Sequence, residues 1–237
     1  MKVKLLSYTK NAQQVCAAAI RQCYSPIGAK ELTRRQSQEE IKKLIEMVLG
    51  SGHTSTLEHA SFTFAVEGVS RVTEIQLIRH RLASFSIQSG RYLKRGGAKY
   101  VIPKEVAVNK EILKKWKKIL VEVNKLYLEA TEAGIKAEDA RYLQPQSLET
   151  KIAFTMNARE LLHFFEKRLC LRAQWEIREM AGEMFKLVRS KAPLIFAHAG
   201  ATCLTQKMCW EGKMSCGRYE KIPGAVLQSR ITQNGKG

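Results

Sequence analysis

The sequence contains no apolar run long enough to cross a bilayer, and its short, charged N-terminal segment lacks the pattern of a signal peptide. We therefore expect a cytoplasmic protein. The sequence also lacks a Pro-, Gly- or Ser-rich linker and any long block of like charges that would divide its 237 residues. The prediction is a single domain over residues 1–237.

Four motifs that identify widespread enzyme classes are absent. The chain has no Walker-type glycine loop, no GxGxxG after a strand, no GxSxG elbow and no HExxH. The common NTPase, Rossmann, hydrolase and zinc-protease interpretations therefore have no local support. If a dinucleotide binds to this protein, something other than a glycine-rich turn must hold it.

Acidic residues are scarce. The chain has 22 Asp and Glu residues but 40 Lys and Arg residues, which gives a formal net charge of +18. Such a charge attracts phosphorylated metabolites, dinucleotide cofactors, nucleic acid or an acidic membrane surface. Charge alone does not choose among these partners, because many lysines, such as those at 114–118, fall on a predicted amphipathic helix where they form an ordinary solvated face.

The six cysteines do not form a pattern typical of disulfide frameworks, and a chain of this size folds without such cross-links. We expect reduced thiols. In the Cys-containing C-terminal extension, residues 196–237, the spacing of Cys203, Cys209 and Cys216 downstream of His198 would permit a zinc site. These cysteines are not paired CxxC units, so unligated thiols are favoured and no metal ligand is predicted.

Hydrophobic periodicity predicts an α+β (mixed α/β) fold without the regular alternation of a doubly wound sheet. The predicted strands are 2–8, 60–67 and 152–156. The predicted helices are 11–24, a segment from Thr33 to the stop at 50–52, one carrying Val72, Ile75 and Ile78, and then 105–134, 137–143, 157–169 and 174–191. The third of these is expected to end at residues 79–81 and to continue into an extended segment or loop. Asn157 is expected to cap the helix at 157–169.

Residues 79–92 are the most informative segment, because they combine three arginines, a histidine and three serines with a glycine. Arginine offers a fixed fork of donors that matches phosphate oxygens, and serine and glycine add short-range donors. The segment therefore indicates a nucleotide site. Arg79 and Arg81 also have an explanation that involves no ligand, because the helix dipole favours cations at the C-terminal end of a helix.

A second polar segment, residues 51–59, contains two histidines around a Thr/Ser run and a glutamate. A metal site is not favoured here, because no third ligand follows at helical spacing. A contact between His53 and substrate is open, and so is a helix-capping role for Ser55 or Thr56.

A third polar segment, residues 157–168, would place one polar stripe and one apolar stripe on a helix. A polar stripe usually faces only solvent. The dense polar and aromatic run at 173–178 favours a structured site instead.

The arrangement of these segments resembles the flavin-dependent thymidylate synthases. The family signature is Arg-His-Arg, seven residues, then Ser-x-Arg, and it is matched by Arg79-His80-Arg81 and Ser89-Gly90-Arg91. The other matching elements are Gly52-His53 with Glu58-His59, Asn157-Ala158-Arg159, Arg168 and the Ala-Gln-Trp-Glu-Ile run at 173–177. The resemblance covers roughly residues 1–195. It implies a central antiparallel or mixed sheet flanked by helices, with long helices packing in a homotetramer whose sites are shared between subunits.

The resemblance also implies an activity, the methylation of uracil C5 of dUMP to give dTMP. Methylenetetrahydrofolate would supply the carbon and NADPH the reducing equivalents, through FAD. The implied cofactor-binding residues are Ser55, Arg79, His80, Arg81, Asn157, Arg159 and His163. The implied substrate-binding residues are Gln76, Arg79, Ser89, Gly90, Arg91, Arg141 and Arg168.

Three residues are implied to take part in catalysis. Arg168 would favour ionisation of uracil N3, and His53 would lie near flavin and folate. Ser89 has no apparent base in its segment beyond His80, which is expected to face flavin, so we expect it to donate a hydrogen bond rather than act as a nucleophile.

One position departs from the family pattern. The residue two before Ser89 is usually Glu or Gln, but here it is Ile87, so that polar contact is either absent or supplied by Gln88. An alternative function of a different class is a basic nucleic-acid-binding module. The chain lacks an RNP-like strand motif and zinc-finger spacing, so nucleic acid is the less favoured partner.

Overall fold

A computed structural model of the chain describes residues 1–91 and 97–228, so Tyr92, the last residue of the predicted nucleotide segment, lies outside the described residues. The main helices are α1 (Ala12–Gln22), α2 (Ala29–Arg35), α3 (Gln38–Ser51), α4 (Arg71–Leu77), α5 (Lys104–Val108), α6 (Lys110–Glu132), α7 (Ala137–Ala140), α8 (Ala158–Arg168), α9 (Trp175–Lys191) and α10 (Thr202–Thr205). The strands are β1 (Lys2–Tyr8), β2 (Ser61–Ser70), β3 (Ala83–Ile87), β4 (Glu149–Asn157), β5 (Met208–Cys209) and β6 (Val226–Leu227). Within these ranges, no helix combines the length and apolar character that a membrane span requires.

The central feature is a four-stranded antiparallel sheet with the order β1-β2-β4-β3. Every second residue from Phe62 to Val66 in β2 is buried, and the same holds from Ile152 to Met156 in β4. This period of two is the pattern of a strand with one face against a core. Helices flank the sheet, so the predicted mixed α/β fold is confirmed.

The chain divides into two compact units. The first unit comprises residues 1–3 and 64–154, and the second comprises 4–63 and the residues from 155 onward. The first contains the stacked pair Phe64 and Phe154, with ring centroids 5.3 Å apart. In the second, Phe165 and Phe196 meet edge to face at 5.9 Å. Offset-stacked and edge-to-face pairs are favoured by the ring quadrupole. The prediction of one functional domain stays a prediction.

Two predicted helices are each divided by a capping residue. The helix expected from Thr33 is two helices, because Ser37 accepts from the backbone N–H of Glu40 at 3.2 Å while its own N–H donates to the Glu40 carboxylate at 3.1 Å. This capping box starts α3. Asn109 likewise separates α5 from α6 by accepting from the Ile112 N–H at 3.1 Å. In both cases a polar side chain satisfies a free backbone donor and thereby starts a new helix.

Candidate active site

A cavity of about 380 Å³ lies within the first unit. Its size is within the range of small-molecule sites. The lining residues are Arg71, Gly90, Tyr127, Arg141, Tyr142, Gln144, Pro145, Gln146 and Leu148. Two of the residues predicted to bind substrate, Gly90 and Arg141, therefore share one concave surface although 51 positions separate them in the sequence. Both charged lining residues are arginines, so the cavity favours an anion.

The Ser89-Gly90-Arg91 segment forms a tight turn directly after β3. The backbone N–H of Arg91 donates to Ser89 Oγ at 3.1 Å, which fixes the serine hydroxyl within the turn. Gly90 approaches Arg141 closely, because a Cβ atom built on Gly90 would lie 3.6 Å from Arg141 Cδ. The absence of a side chain at Gly90 therefore keeps space open beside this arginine.

Glu138, on α7, holds two of the predicted substrate-binding arginines. Its carboxylate lies 2.6 Å from Arg91 Nε, and its backbone carbonyl accepts from Arg141 Nε at 3.0 Å. Glu138 was not among the predicted site residues. The available signal was its position three residues before Arg141, which places both on one side of a helical turn.

Two polar residues of the cavity wall were also missed. Arg71 forms an ion pair with Glu74, with Nη2 and Oε1 3.3 Å apart. Gln144 Oε1 accepts from the hydroxyl of Tyr100 at 3.1 Å, while burial raises the pKa of that hydroxyl and keeps it protonated. No sequence motif marks Arg71 or Gln144, because only the fold brings them to the cavity.

Four further predicted residues lie on or just after α4, in the first unit. Gln76 is half-buried and its Nε2 donates to the Val72 carbonyl at 3.4 Å. After the helix ends, Arg79 and Arg81 are exposed, whereas His80 is only 5% exposed. Gln76 and Arg79 are not among the residues that line the cavity. Of the extended segment or loop expected after this helix, the structure has an extended segment, the strand β3.

In the second unit, the turn Thr54–His59 carries His53 at its start and an exposed Ser55. The capping role considered for Ser55 or Thr56 is wrong, because the turn begins after His53 and no side chain of the described residues caps it. Thr56 Oγ1 is buried and has no hydrogen-bond partner among the described residues. Buried hydroxyls are normally paired, so a ligand atom beside this turn would satisfy it.

The other predicted residues of the second unit lie on α8. Asn157 caps this helix as predicted, accepting from the Glu160 N–H at 2.9 Å. Arg159 is held 2.6 Å from the carboxylate of Glu58, and the exposed His163 lies 3.6 Å from that of Glu160. At the far end of α8, Arg168 is half-buried, and burial lowers the pKa of its guanidinium below the ordinary value. An arginine so placed still carries its charge at neutral pH.

Ile87, which departs from the family pattern, is the last residue of β3 and is half-buried. The neighbouring Gln88 extends the β3–β4 pairing, since its N–H donates to the Lys151 carbonyl at 2.9 Å. Successive residues of a strand point to opposite faces, so Gln88 does not simply replace a polar side chain at Ile87.

All six cysteines are free thiols. Cys203 and Cys209 are buried in a small cluster against which Cys170 packs, whereas Cys216 and His198 are exposed. Among the described cysteines, no three sulfur atoms lie within 4.8 Å of one another. The absence of a metal at these residues stays a prediction.

Comparison with known proteins identifies the family. Residues 4–194 match the family model described as "Thymidylate synthase complementing protein". A flavin-dependent thymidylate synthase of Clostridium tetani is 45% identical, over 96% of this chain and 97% of that protein. The protein of the same name in Geobacter sulfurreducens is 44% identical, over 94% and 96%, and that of Pyrococcus furiosus is 41% identical, over 97% and 95%.

A solved structure shares the fold. It is the UMP/dUMP methylase PolB from Streptomyces cacaoi bound with 5-Br dUMP, and it superimposes with a TM-score of 0.73 at 23% sequence identity. The match covers 83% of this chain and 93% of that one. From the family match over residues 4–194 and the identity to these relatives along nearly their whole length, the chain belongs to the flavin-dependent thymidylate synthases.

Proposed function

We infer that this chain is a methyltransferase that converts dUMP to dTMP with FAD as its cofactor. The observation that carries this inference is family membership along nearly the whole chain. The cationic cavity that unites Gly90 and Arg141 supports it, since dUMP carries a phosphate.

The phosphate of dUMP is proposed to bind at the turn of Ser89, Gly90 and Arg91 together with Arg141. Glu138 fixes both arginines before substrate arrives, which reduces the entropy that binding would otherwise cost. Gln76, Arg79 and Arg168 are proposed as further dUMP contacts on the strength of the family pattern. Lys and Arg residues exceed acidic residues by 40 to 22, and this excess also favours the anionic co-substrates NADPH and methylenetetrahydrofolate.

The residues proposed to hold FAD suit an anionic dinucleotide. Arg79, Arg81 and Arg159 are exposed cations. The Thr56 hydroxyl, which has no hydrogen-bond partner in the described part of the chain, follows Ser55. We assign Ser55, Arg79, His80, Arg81, Asn157, Arg159 and His163 to this group, with His53 near flavin and folate. Bound at these residues, FAD would supply the redox chemistry that links NADPH to hydride transfer to the pyrimidine.

Arg168 is proposed to act on the uracil ring. A guanidinium beside N3 stabilises the anion that forms when N3 loses its proton. Partial burial strengthens this effect, because water screens the charge less at a half-buried site.

A homotetramer is proposed as the functional assembly, with active sites that draw residues from more than one subunit. Apolar side chains exposed along α6 support an interface on that helix. They include Ile112, Ile119, Val121 and Leu126.

We also propose a cytoplasmic location, since the family's nucleotide substrates are cytoplasmic metabolites.

Ser89→Ala is expected to retain turnover. The serine supplies one hydrogen bond and orders the turn, so its loss should lower kcat/KM for dUMP by about two- to tenfold. Steady-state assays of dTMP formation measure this effect, with Ser86→Ala on β3 as the control. Complete loss of turnover with normal dUMP binding and flavin content would instead indicate a covalent role for Ser89.

Gly90→Ala is expected to weaken dUMP binding by about tenfold without unfolding the protein, because the added methyl would crowd the bound dUMP and such overpacking costs about 1–3 kcal/mol. Its Cβ would meet Arg141 Cδ at 3.6 Å, an ordinary contact, but would occupy cavity space. Titration calorimetry and melting temperature measure the two quantities. Gly50→Ala, whose Cβ would meet nothing within 4 Å, is the matched control and should leave dUMP binding unchanged.

The spectrum of the purified protein tests the proposed function against the nucleic-acid alternative. We expect a yellow protein with flavin absorbance, which releases FAD on denaturation. A colourless protein that does not take up added FAD, yet binds nucleic acid with a steep salt dependence, would contradict the enzyme assignment.

A further inference from the structure

Arg71 is a cation of the cavity wall that the family pattern does not explain. It is the first residue of α4, and its backbone N–H donates to the carbonyl of Leu148 at 3.1 Å. Leu148 also lines the cavity, so this hydrogen bond joins the start of α4 to a second lining residue. The Arg71 side chain is 36% exposed, which leaves it accessible to a ligand.

The Arg71 guanidinium forms an ion pair with a buried carboxylate. Glu74 is only 5% exposed, and its Oε1 lies 3.3 Å from Arg71 Nη2. A guanidinium has five N–H donors in a rigid fork, so one ion pair leaves others for a second partner. The pair thus presents an oriented arginine at the cavity rather than a freely rotating one.

The charges of the cavity indicate the chemistry of that second partner. Arg71 and Arg141 are the charged residues of the described lining, and no acidic side chain is among them. Two guanidinium groups around one cavity match a phosphate, which accepts several charge-assisted hydrogen bonds.

We propose that Arg71 binds the phosphate of dUMP together with Arg141. The inference rests on the proposed function, since it names a further contact to the same substrate. It adds a residue outside the Arg-His-Arg and Ser-x-Arg signature.

The test compares two ligands that differ only in the phosphate, dUMP and deoxyuridine. Arg71→Ala alone would leave Glu74 as an uncompensated buried charge and could unfold the protein. The double variant Arg71→Met/Glu74→Gln removes both charges. Arg71→Lys keeps the positive charge but loses the planar set of guanidinium donors. Dissociation constants are measured on the flavin-loaded enzyme by calorimetry.

We expect the double variant to bind dUMP about 10- to 100-fold more weakly, since hydrogen bonds to charged groups have that strength, and to bind deoxyuridine as the wild type does. The dissociation constant of Arg71→Lys for dUMP should lie between those of the wild type and the double variant. The control Arg21→Met/Glu40→Gln removes another Arg–Glu pair of the same 3.3 Å separation in the second unit and should change neither constant.

Equal changes in the affinity for both ligands, or no change in either, would overturn the proposed role of Arg71. If the wild-type enzyme bound neither dUMP nor deoxyuridine, the proposed function itself would fail. The two failures are therefore distinct.

Discussion

Replacing Arg168 by alanine is expected to lower kcat/KM for dTMP formation by about a hundredfold to a thousandfold, the usual cost of removing one group that stabilises a developing anion. Its guanidinium is half-buried, so no solvent cation can take its place efficiently. Arg168→Lys should recover only part of the activity, because an ammonium lacks the planar fork. Initial-rate assays with dUMP as the varied substrate measure these effects.

The pH profile separates a catalytic role for Arg168 from a purely structural one. Without the guanidinium, the pKa of uracil N3 should return toward its value in water, so less of the anion is present at neutral pH. The rate of Arg168→Ala should therefore rise more steeply with pH than that of the wild type. Lys167→Ala, an exposed neighbour on α8, is the control and should keep the wild-type profile. A uniform loss of rate that tracks a lower melting temperature would contradict the catalytic role.

Replacing Arg141 by alanine is expected to weaken dUMP binding by about 10- to 150-fold, because a hydrogen bond to a charged group contributes about 1.5–3 kcal/mol. Arg141 lines the cavity, and its Nε donates to the Glu138 carbonyl, which restrains the guanidinium before the substrate binds. Calorimetry with dUMP on the flavin-loaded enzyme measures the change.

The control for Arg141→Ala is Arg34→Ala, an exposed arginine on α2. Both variants lower the net charge equally, so any difference between them reflects position rather than general attraction of anions. Flavin content should remain normal in both. An equal loss of dUMP affinity in the two variants would contradict the assignment of the cavity to substrate.

The sequence predicted those site features that are local in the chain. Asn157 caps α8 as its position before an apolar helix indicated. The alternation of residues 60–67 also predicted a strand, which the structure has as β2 (Ser61–Ser70) directly after the turn that carries Ser55. In each case a few consecutive residues decide the geometry, so pattern and structure agree.

The missed features depend on tertiary packing. Arg71 and Gln144 carry no motif, and they become wall residues only because the start of α4 and the segment before β4 meet at one cavity. Glu138 contacts Arg91 across 47 positions of sequence. Helix propensity alone also missed the breaks at Ser37 and Asn109, where a capping side chain outweighs a continuous helical pattern.

The most direct test of the account is a single-turnover experiment on the purified flavin-loaded protein. The bound flavin is reduced anaerobically with NADPH, then dUMP and methylenetetrahydrofolate are added and the nucleotides are separated. We expect dTMP in an amount stoichiometric with the flavin, together with reoxidation of the flavin. Reduced flavin that persists in the presence of both substrates, with dUMP recovered unchanged, would contradict it.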